Sequence, residues 1–301
     1  MNIVMTFPGQ GTQRAGMLEH LKTSDAWREA REVLGDELET LDTPEALRHT
    51  RAVQLALLIA GVAGARALAA RGVTPDIVSG LSIGAYPAAV IAGALAYDDA
   101  LRLVALRGDL MEQAWPEGYG LTAIVGLRQP QVETLLAGSG AYLANLNAET
   151  QMVIAGSDAQ MAAVGKAALA MGASKVNRLA VSVPSHCELL NEPAQKLARA
   201  FDKVTLTRPR CAYLSGSSAR ALWQPERIAD DLAFNMARTV RWQEAMIAAR
   251  EREGRLAIEM PPGGVLTCLT RQAGWEGESI SLERSGIDVA VHLANRMRQQ
   301  A

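Results

Sequence analysis

The segment Gly80-Leu81-Ser82-Ile83-Gly84 constrains the fold of this chain more than any other stretch. The short apolar run Ile77-Val78-Ser79 leads into it, and residues 85–94 lead out in a helical pattern. A serine flanked by two glycines between strand and helix predicts a sharp turn, where crowded and strained backbone demands small neighbours. Strand–turn–helix units of this kind build parallel sheets with crossover helices. The first N–H groups of the helix would point toward the serine, where they favour developing negative charge. As a bare pattern, G-x-S-x-G also describes a plain loop. The strand before it and the helix after it favour a nucleophile at Ser82.

The rest of the chain extends this α/β reading. Residues 3–7 form an apolar run stopped by Pro8-Gly9, which predicts a buried strand feeding a tight loop. Thr43-Pro44-Glu45 is expected to open a helix, and the Leu- and Ala-rich residues 53–70 to form a buried one. Between 121 and 182 the rhythm changes. Strands are expected over 121–125, 142–145, 152–155 and 175–179, with helices over 130–136 and 159–171. That order is the β-α-β-β-α-β of a ferredoxin-like split unit. It predicts a small domain, 121–186, inserted into a large α/β domain made of 1–120 and 187–301. Short elements at 257–259, 265–271 and 288–299 follow, with Pro261-Pro262-Gly263-Gly264 as a rigid turn.

Composition removes several function classes. The chain of 301 residues has 30 Lys and Arg against 32 Asp and Glu, which gives no support for nucleic-acid binding. Its three cysteines, Cys187, Cys211 and Cys268, lack C-x-x-C spacing, which argues against zinc and disulfides and fits a reducing compartment. Residues 85–97 contain Pro87 and Gly93 and fall short of the roughly 20 apolar residues of a membrane span. The first residues carry no positive n-region, so a cytoplasmic location is expected.

Three further residues bear on chemistry. Of four histidines, His20 and His49 lie in polar stretches and His292 in the last helix, whereas His186 follows Val183-Pro184-Ser185. A proline there fixes the backbone at the end of an apolar strand, and a base on such a turn could face Ser82 across a cleft. The loop Phe7-Pro8-Gly9-Gln10-Gly11-Thr12-Gln13 lacks the Lys-Ser/Thr ending of a P-loop. It reads either as an ordinary turn or as an oxyanion donor, with the N–H of Gln10 joining that of Ile83. In the expected helix 98–112, a rotation of 100° per residue places Arg107 inside the apolar arc between Leu103 and Met111. A buried guanidinium needs an anion. The phase alone does not choose between a structural carboxylate, a side chain reaching back to water, and a clamp for a substrate carboxylate.

Taken in order, several segments resemble the malonyl-CoA:acyl carrier protein transacylases. They are residues 7–13 with Gly16-Met17-Leu18, the elbow at 80–84, and Leu106-Arg107-Gly108 with Leu110-Met111. Asn147 with Gln151 to Gly156, residues 181–187, and Pro262-Gly263 with Val265-Leu266-Thr267 complete the set. The resemblance implies an α/β-hydrolase-like large domain with a parallel sheet and an inserted ferredoxin-like small domain. It implies Ser82 as nucleophile and His186 as base, oriented by a backbone carbonyl rather than an acid. It further implies the Gln10 and Ile83 N–H groups as oxyanion hole, and Arg107 and Asn147 at the substrate. Malonyl-CoA and an acyl carrier protein would be the partners, with no metal or cofactor.

The elbow departs from the family's usual His before the serine, Leu after it and Glu next. Leu81, Ile83 and Ala85 stand there instead. The Gly-Leu-Ser-Ile-Gly-Ala-Tyr-Pro variant looks most like the transacylase subunit of bacterial malonate decarboxylase, which implies other subunits of that complex as partners. The alternatives are a malonyl transacylase of fatty-acid synthesis, a serine thioesterase or hydrolase, and a non-catalytic carrier-binding subunit. Patatin-type chemistry would need an Asp-Gly-Gly segment, which the sequence lacks.

Overall fold

The computed structural model describes residues 1–115 and 117–299. In chain order its strands are β1 (Asn2–Phe7), β2 (Ile77–Gly80), β3 (Tyr119–Val125), β4 (Tyr142–Ala148), β5 (Gln151–Ser157), β6 (Lys175–Arg178), β7 (Ala212–Leu214), β8 (Ala221–Leu222), β9 (Gly254–Glu259) and β10 (Glu278–Ser281). Six of them form one sheet in the order β10-β9-β1-β2-β7-β8, parallel throughout except for the antiparallel edge strand β8. Helices cover both faces, which explains the unbroken apolar run of β1. Ile3, Met5 and Phe7 enter the main core with the long helix Thr50–Ala70, while Val4 points to the opposite layer with Trp242 and Leu266.

Thr50–Ala70 is long and apolar enough to cross a membrane, but most of it is buried in the protein. It is the central helix of the core. Its start is fixed from outside rather than by the expected Thr43-Pro44 opening. Thr43 Oγ1 accepts from the Ala46 N–H at 3.2 Å, yet only a short 3₁₀ turn, Ala46–Arg48, follows. The chain then extends at His49 (φ −102°, ψ 134°), and a carboxylate oxygen of Glu112 receives the Thr50 N–H at 2.9 Å. A cap supplied by a neighbouring helix leaves no local signature. β7 and β8 were also beyond the sequence patterns, being only three and two residues long.

The second sheet is fully antiparallel, β4-β5-β3-β6, with helices Gln129–Leu136 and Asp158–Ala170 on one face. Strand alternation sorts its residues. Met152 and Ile154 pack toward those helices, while Val153 and Ala155 join Leu121 and Cys187 on the other face. This is the expected ferredoxin-like unit. Its strands run from Tyr119 to Arg178, and Val183 already packs in the main core. β4 is sewn to the large domain by two backbone bonds, Leu146 N–H to Val240 O and Val240 N–H to Ala144 O, each 2.8 Å. The seam brings β4 beside the segment Asn235–Val240.

Candidate active site

β2 ends at the elbow, and Ser82 adopts φ 57°. A non-glycine residue in the left-handed region carries strain of about 1–3 kcal/mol, held in place by its surroundings. Here the surroundings are the glycines. A Cβ on Gly80 would lie 2.0 Å from the Gly84 carbonyl, and one on Gly84 would lie 2.1 Å from Phe7 O. No side chain fits either place, so both positions are fixed by the tightness of the turn against β1. The helix Ala85–Ile91 follows directly.

The loop after β1 lies against this elbow, with the Leu81 N–H bonded to Phe7 O at 3.0 Å. Among the described residues, neither the Gln10 nor the Ile83 amide N–H reaches a protein acceptor. Gln10, Ser82, Asn147 and His186 line one cavity of about 250 Å³ between the two domains. A larger groove of about 840 Å³ lies elsewhere, lined by Arg238 and Arg241 among others, but those arginines are paired with Asp230 and Glu244 and the groove shares no lining residue with the cavity. The convergence of Ser82, His186 and the Gln10 amide makes the smaller cavity the candidate reaction site, while Ile83 and Arg107 are not among its lining residues.

His186 is buried and also left-handed, at φ 67°. Its backbone N–H donates to Met236 O at 2.6 Å. Its Nδ1 faces the carbonyl of Asn235 at 2.8 Å and that of Arg238 at 3.3 Å. Carbonyls only accept, so Nδ1 carries the proton and Nε2 of the neutral ring keeps its lone pair. Burial, aided by the charge of Arg107, pushes the imidazole pKa down to about 4. The ring is therefore neutral at physiological pH and holds the tautomer a base needs.

Arg107 is wholly buried, as its helical phase predicted, on the helix Tyr97–Ala114. Its Nη1 donates to Gln54 Oε1 at 2.7 Å, and its Nη2 to Asn235 Oδ1 at 2.9 Å and to Ser82 Oγ at 3.2 Å. Nε finds no partner among the described residues. Among the described residues no carboxylate pairs with it. Burial lowers its pKa to about 10, which still leaves it charged near neutrality. Asn147 accepts from Asn145 Nδ2 at 3.3 Å, and the buried Asn145 Oδ1 has no partner among the described residues.

Sequence reasoning missed Gln54, Asn145 and Asn235. Gln54 carried a usable signal, a polar side chain inside an otherwise apolar buried helix. Asn235 carried none, because its contacts in the site, to His186, Arg107 and Ser82, are with residues far away in the sequence. Among the described residues no group of three or more His, Cys, Asp or Glu side chains could hold a metal ion.

A strained serine, a neutral imidazole and two free amide donors are the parts that serine acyl transfer requires. Residues 4–294 match the family described as acyl transferase domain, and the chain belongs to that family. The malonyl CoA-acyl carrier protein transacylase of Haemophilus influenzae is 34% identical over 294 residues, covering 92% of this chain and 94% of that protein. The solved malonyl CoA-acyl carrier protein transacylase of Coxiella burnetii superposes with a TM-score of 0.92 at 30% identity, covering 98% of each chain. A malonyl-transacylase solved in complex with a type II polyketide acyl-carrier protein gives 0.91 at 33% identity, covering 97% of this chain and 99% of that one.

Proposed function

We propose that this chain transfers malonyl from malonyl-CoA to the prosthetic-group thiol of an acyl carrier protein through a malonyl-Ser82 ester. The observation that carries this reading is Arg107. A permanent cation in a dry pocket, held against the nucleophile without a counter-ion, suits a substrate with a carboxylate at its acyl end.

In the acylation step Ser82 Oγ attacks the thioester carbonyl carbon and passes its proton to His186 Nε2. The Gln10 and Ile83 N–H groups receive the oxyanion. The C–S bond then breaks, and the departing sulfur takes the proton from Nε2. The carrier thiol enters, gives its proton to the same nitrogen, attacks the ester carbonyl, and Ser82 leaves with the proton returned. In the structure Ser82 Oγ accepts from Arg107. A substrate carboxylate that draws the guanidinium to itself frees that oxygen to turn toward the base. The amides of Asn145 and Asn147 face the acyl group from β4, and apolar walls such as Leu121, Val153 and Leu266 suit the thioester arm.

A narrower role, as transacylase subunit of a malonate decarboxylase, rests on the elbow variant with Leu81, Ile83 and Ala85. The relatives named above support the general malonyl transfer. Comparing transfer to a phosphopantetheine carrier with transfer to one bearing a modified CoA-like group separates the two roles.

The direct test is intact-protein mass after mixing with malonyl-CoA. One malonyl mass is expected, on the peptide containing Ser82, and none in Ser82→Ala. Discharge should need a carrier thiol. Release of free malonate at the same rate without carrier would make the protein a hydrolase, and absence of the adduct a binding subunit.

A further inference from the structure

Among the described residues, every N–H bond that Arg107 makes goes to a neutral oxygen: the amides of Gln54 and Asn235, and the hydroxyl of Ser82. Gln54 is 0% exposed and Asn235 5%, so both lie where an acid would form an ion pair far stronger than any at the surface. Each is one functional group from being such an acid, since Glu matches Gln and Asp matches Asn in shape. A guanidinium has five N–H donors, and three contacts are made, so two remain, the buried Nε–H among them. Gln54 also donates to Met111 Sδ at 3.4 Å, which fixes which way its amide points and keeps the oxygen toward Arg107. Asn235 is fixed in the same sense by its Nδ2, which reaches Ser82 O at 3.4 Å.

We propose that Gln54 and Asn235 are the specificity-determining residues of this site, aiming the Arg107 guanidinium while leaving its charge free for the carboxylate of the acyl group. The inference rests on the malonyl-transfer reading. Amides supply acceptors without charge, so the cation is oriented but not compensated. The incoming carboxylate then becomes its first counter-ion, and the free energy of that pairing goes to substrate selection. An acid at either place would be a resident counter-ion, and the acyl carboxylate would meet a neutral pair.

Gln54→Glu is the decisive variant, because Gln54 touches neither the serine nor the histidine. Acylation of Ser82 is measured with malonyl-CoA and with acetyl-CoA, the latter lacking the carboxylate. The wild-type protein should prefer malonyl. In Gln54→Glu the ratio of malonyl to acetyl kcat/KM should fall about 10²-fold, the scale of losing one buried charge contact. The fall should come chiefly through KM for malonyl-CoA. The melting temperature should not drop, because the buried cation gains a partner. Gln54→Met removes the acceptor without adding charge. It should lower the melting temperature and weaken the malonyl preference, but by less than Gln54→Glu does, because the charge stays uncompensated. Asn235→Asp should shift the ratio in the same direction as Gln54→Glu. A Gln54→Glu protein that stays folded and keeps the wild-type ratio overturns the inference, as does one that loses both acylations equally. A wild-type protein without malonyl preference overturns the malonyl-transfer reading instead.

Discussion

The helices Thr50–Ala70 and Tyr97–Ala114 pack side by side and hold two arginines in opposite circumstances. At one end Arg51 donates to Glu37 and to Asp109, all at 2.7 to 2.9 Å, and its guanidinium is part-exposed. These partners push its pKa up, the side-chain bond to Glu37 contributing most. Arg107 sits two residues before Asp109, fully buried, among amides. The contact is close, since a Cβ on Gly108 would come 2.4 Å from Arg51 Cα. The two guanidinium groups therefore share one interface, and only one of them received acids. An arginine that braces a fold is neutralised where it stands. On the proposed reading Arg107 waits for a ligand, buried, aimed and left uncompensated, at a standing cost in stability that the rest of the core offsets.

The comparison breaks most visibly at Arg107. Arg107→Ala should lose malonyl transfer by about 10² to 10³-fold or more, the range for truncating one partner of a buried charge pair, while acetyl transfer holds or rises. Arg107→Lys should recover only part, because an ammonium cannot present two parallel N–H donors to one carboxylate. Parallel kcat/KM measurements with both thioesters check this. A folded alanine variant that still favours malonyl would make the two arginines alike.

The second effect concerns the residue whose charge Arg107 opposes. His186→Ala should slow transfer roughly 10²–10⁴-fold, as expected for loss of a general base. With the imidazole pKa pushed down to about 4, acylation of the native protein should be flat from neutral pH to about pH 5 and fall only below that. Stability should respond sooner. Between pH 6.5 and 4 the unfolded chain binds a proton that the folded ring refuses, so acidification through that window lowers stability. A pH profile of single-turnover acylation, set beside denaturant midpoints, separates the two. A kinetic midpoint near 6.5 would show an imidazole unaffected by its burial.

Arg51→Ala should give the smallest change, about 1 kcal/mol or less of stability, because its pairs are part-exposed. The ratio of malonyl to acetyl transfer should not move. A shift in that ratio would mean that the braced end of the helix pair also sets the aim of Arg107.

Much of the site could be read from the sequence because its features are periodic or strictly local. The elbow shows as a strand, two glycines and a helix. Arg107 shows as a cation at the wrong phase of a helix. Gln54 obeyed the same logic on the partner helix, as a lone polar residue among Val53, Leu55 and Leu58. What stayed hidden were contacts made by backbone and by distant chain. The carbonyl of Asn235 orients His186 whatever its side chain, and the cap on Thr50 comes from Glu112, far along the sequence. β7 is too short for a period to register, yet it completes the parallel sheet beside β2.

The order of strands in the large sheet sets a timetable for the growing chain. Val4 pairs with Ile77 on one side and with Ala257 on the other. One edge of the first strand is therefore matched early in synthesis, while the other stays open until most of the protein has been made. Throughout that interval the Thr50–Ala70 helix, apolar enough to be mistaken for a membrane segment, lacks its contacts with the C-terminal helix Ile287–Gln299. The fold of this enzyme thus closes late and over long range, because β9 and the C-terminal helix both come near the end of the chain.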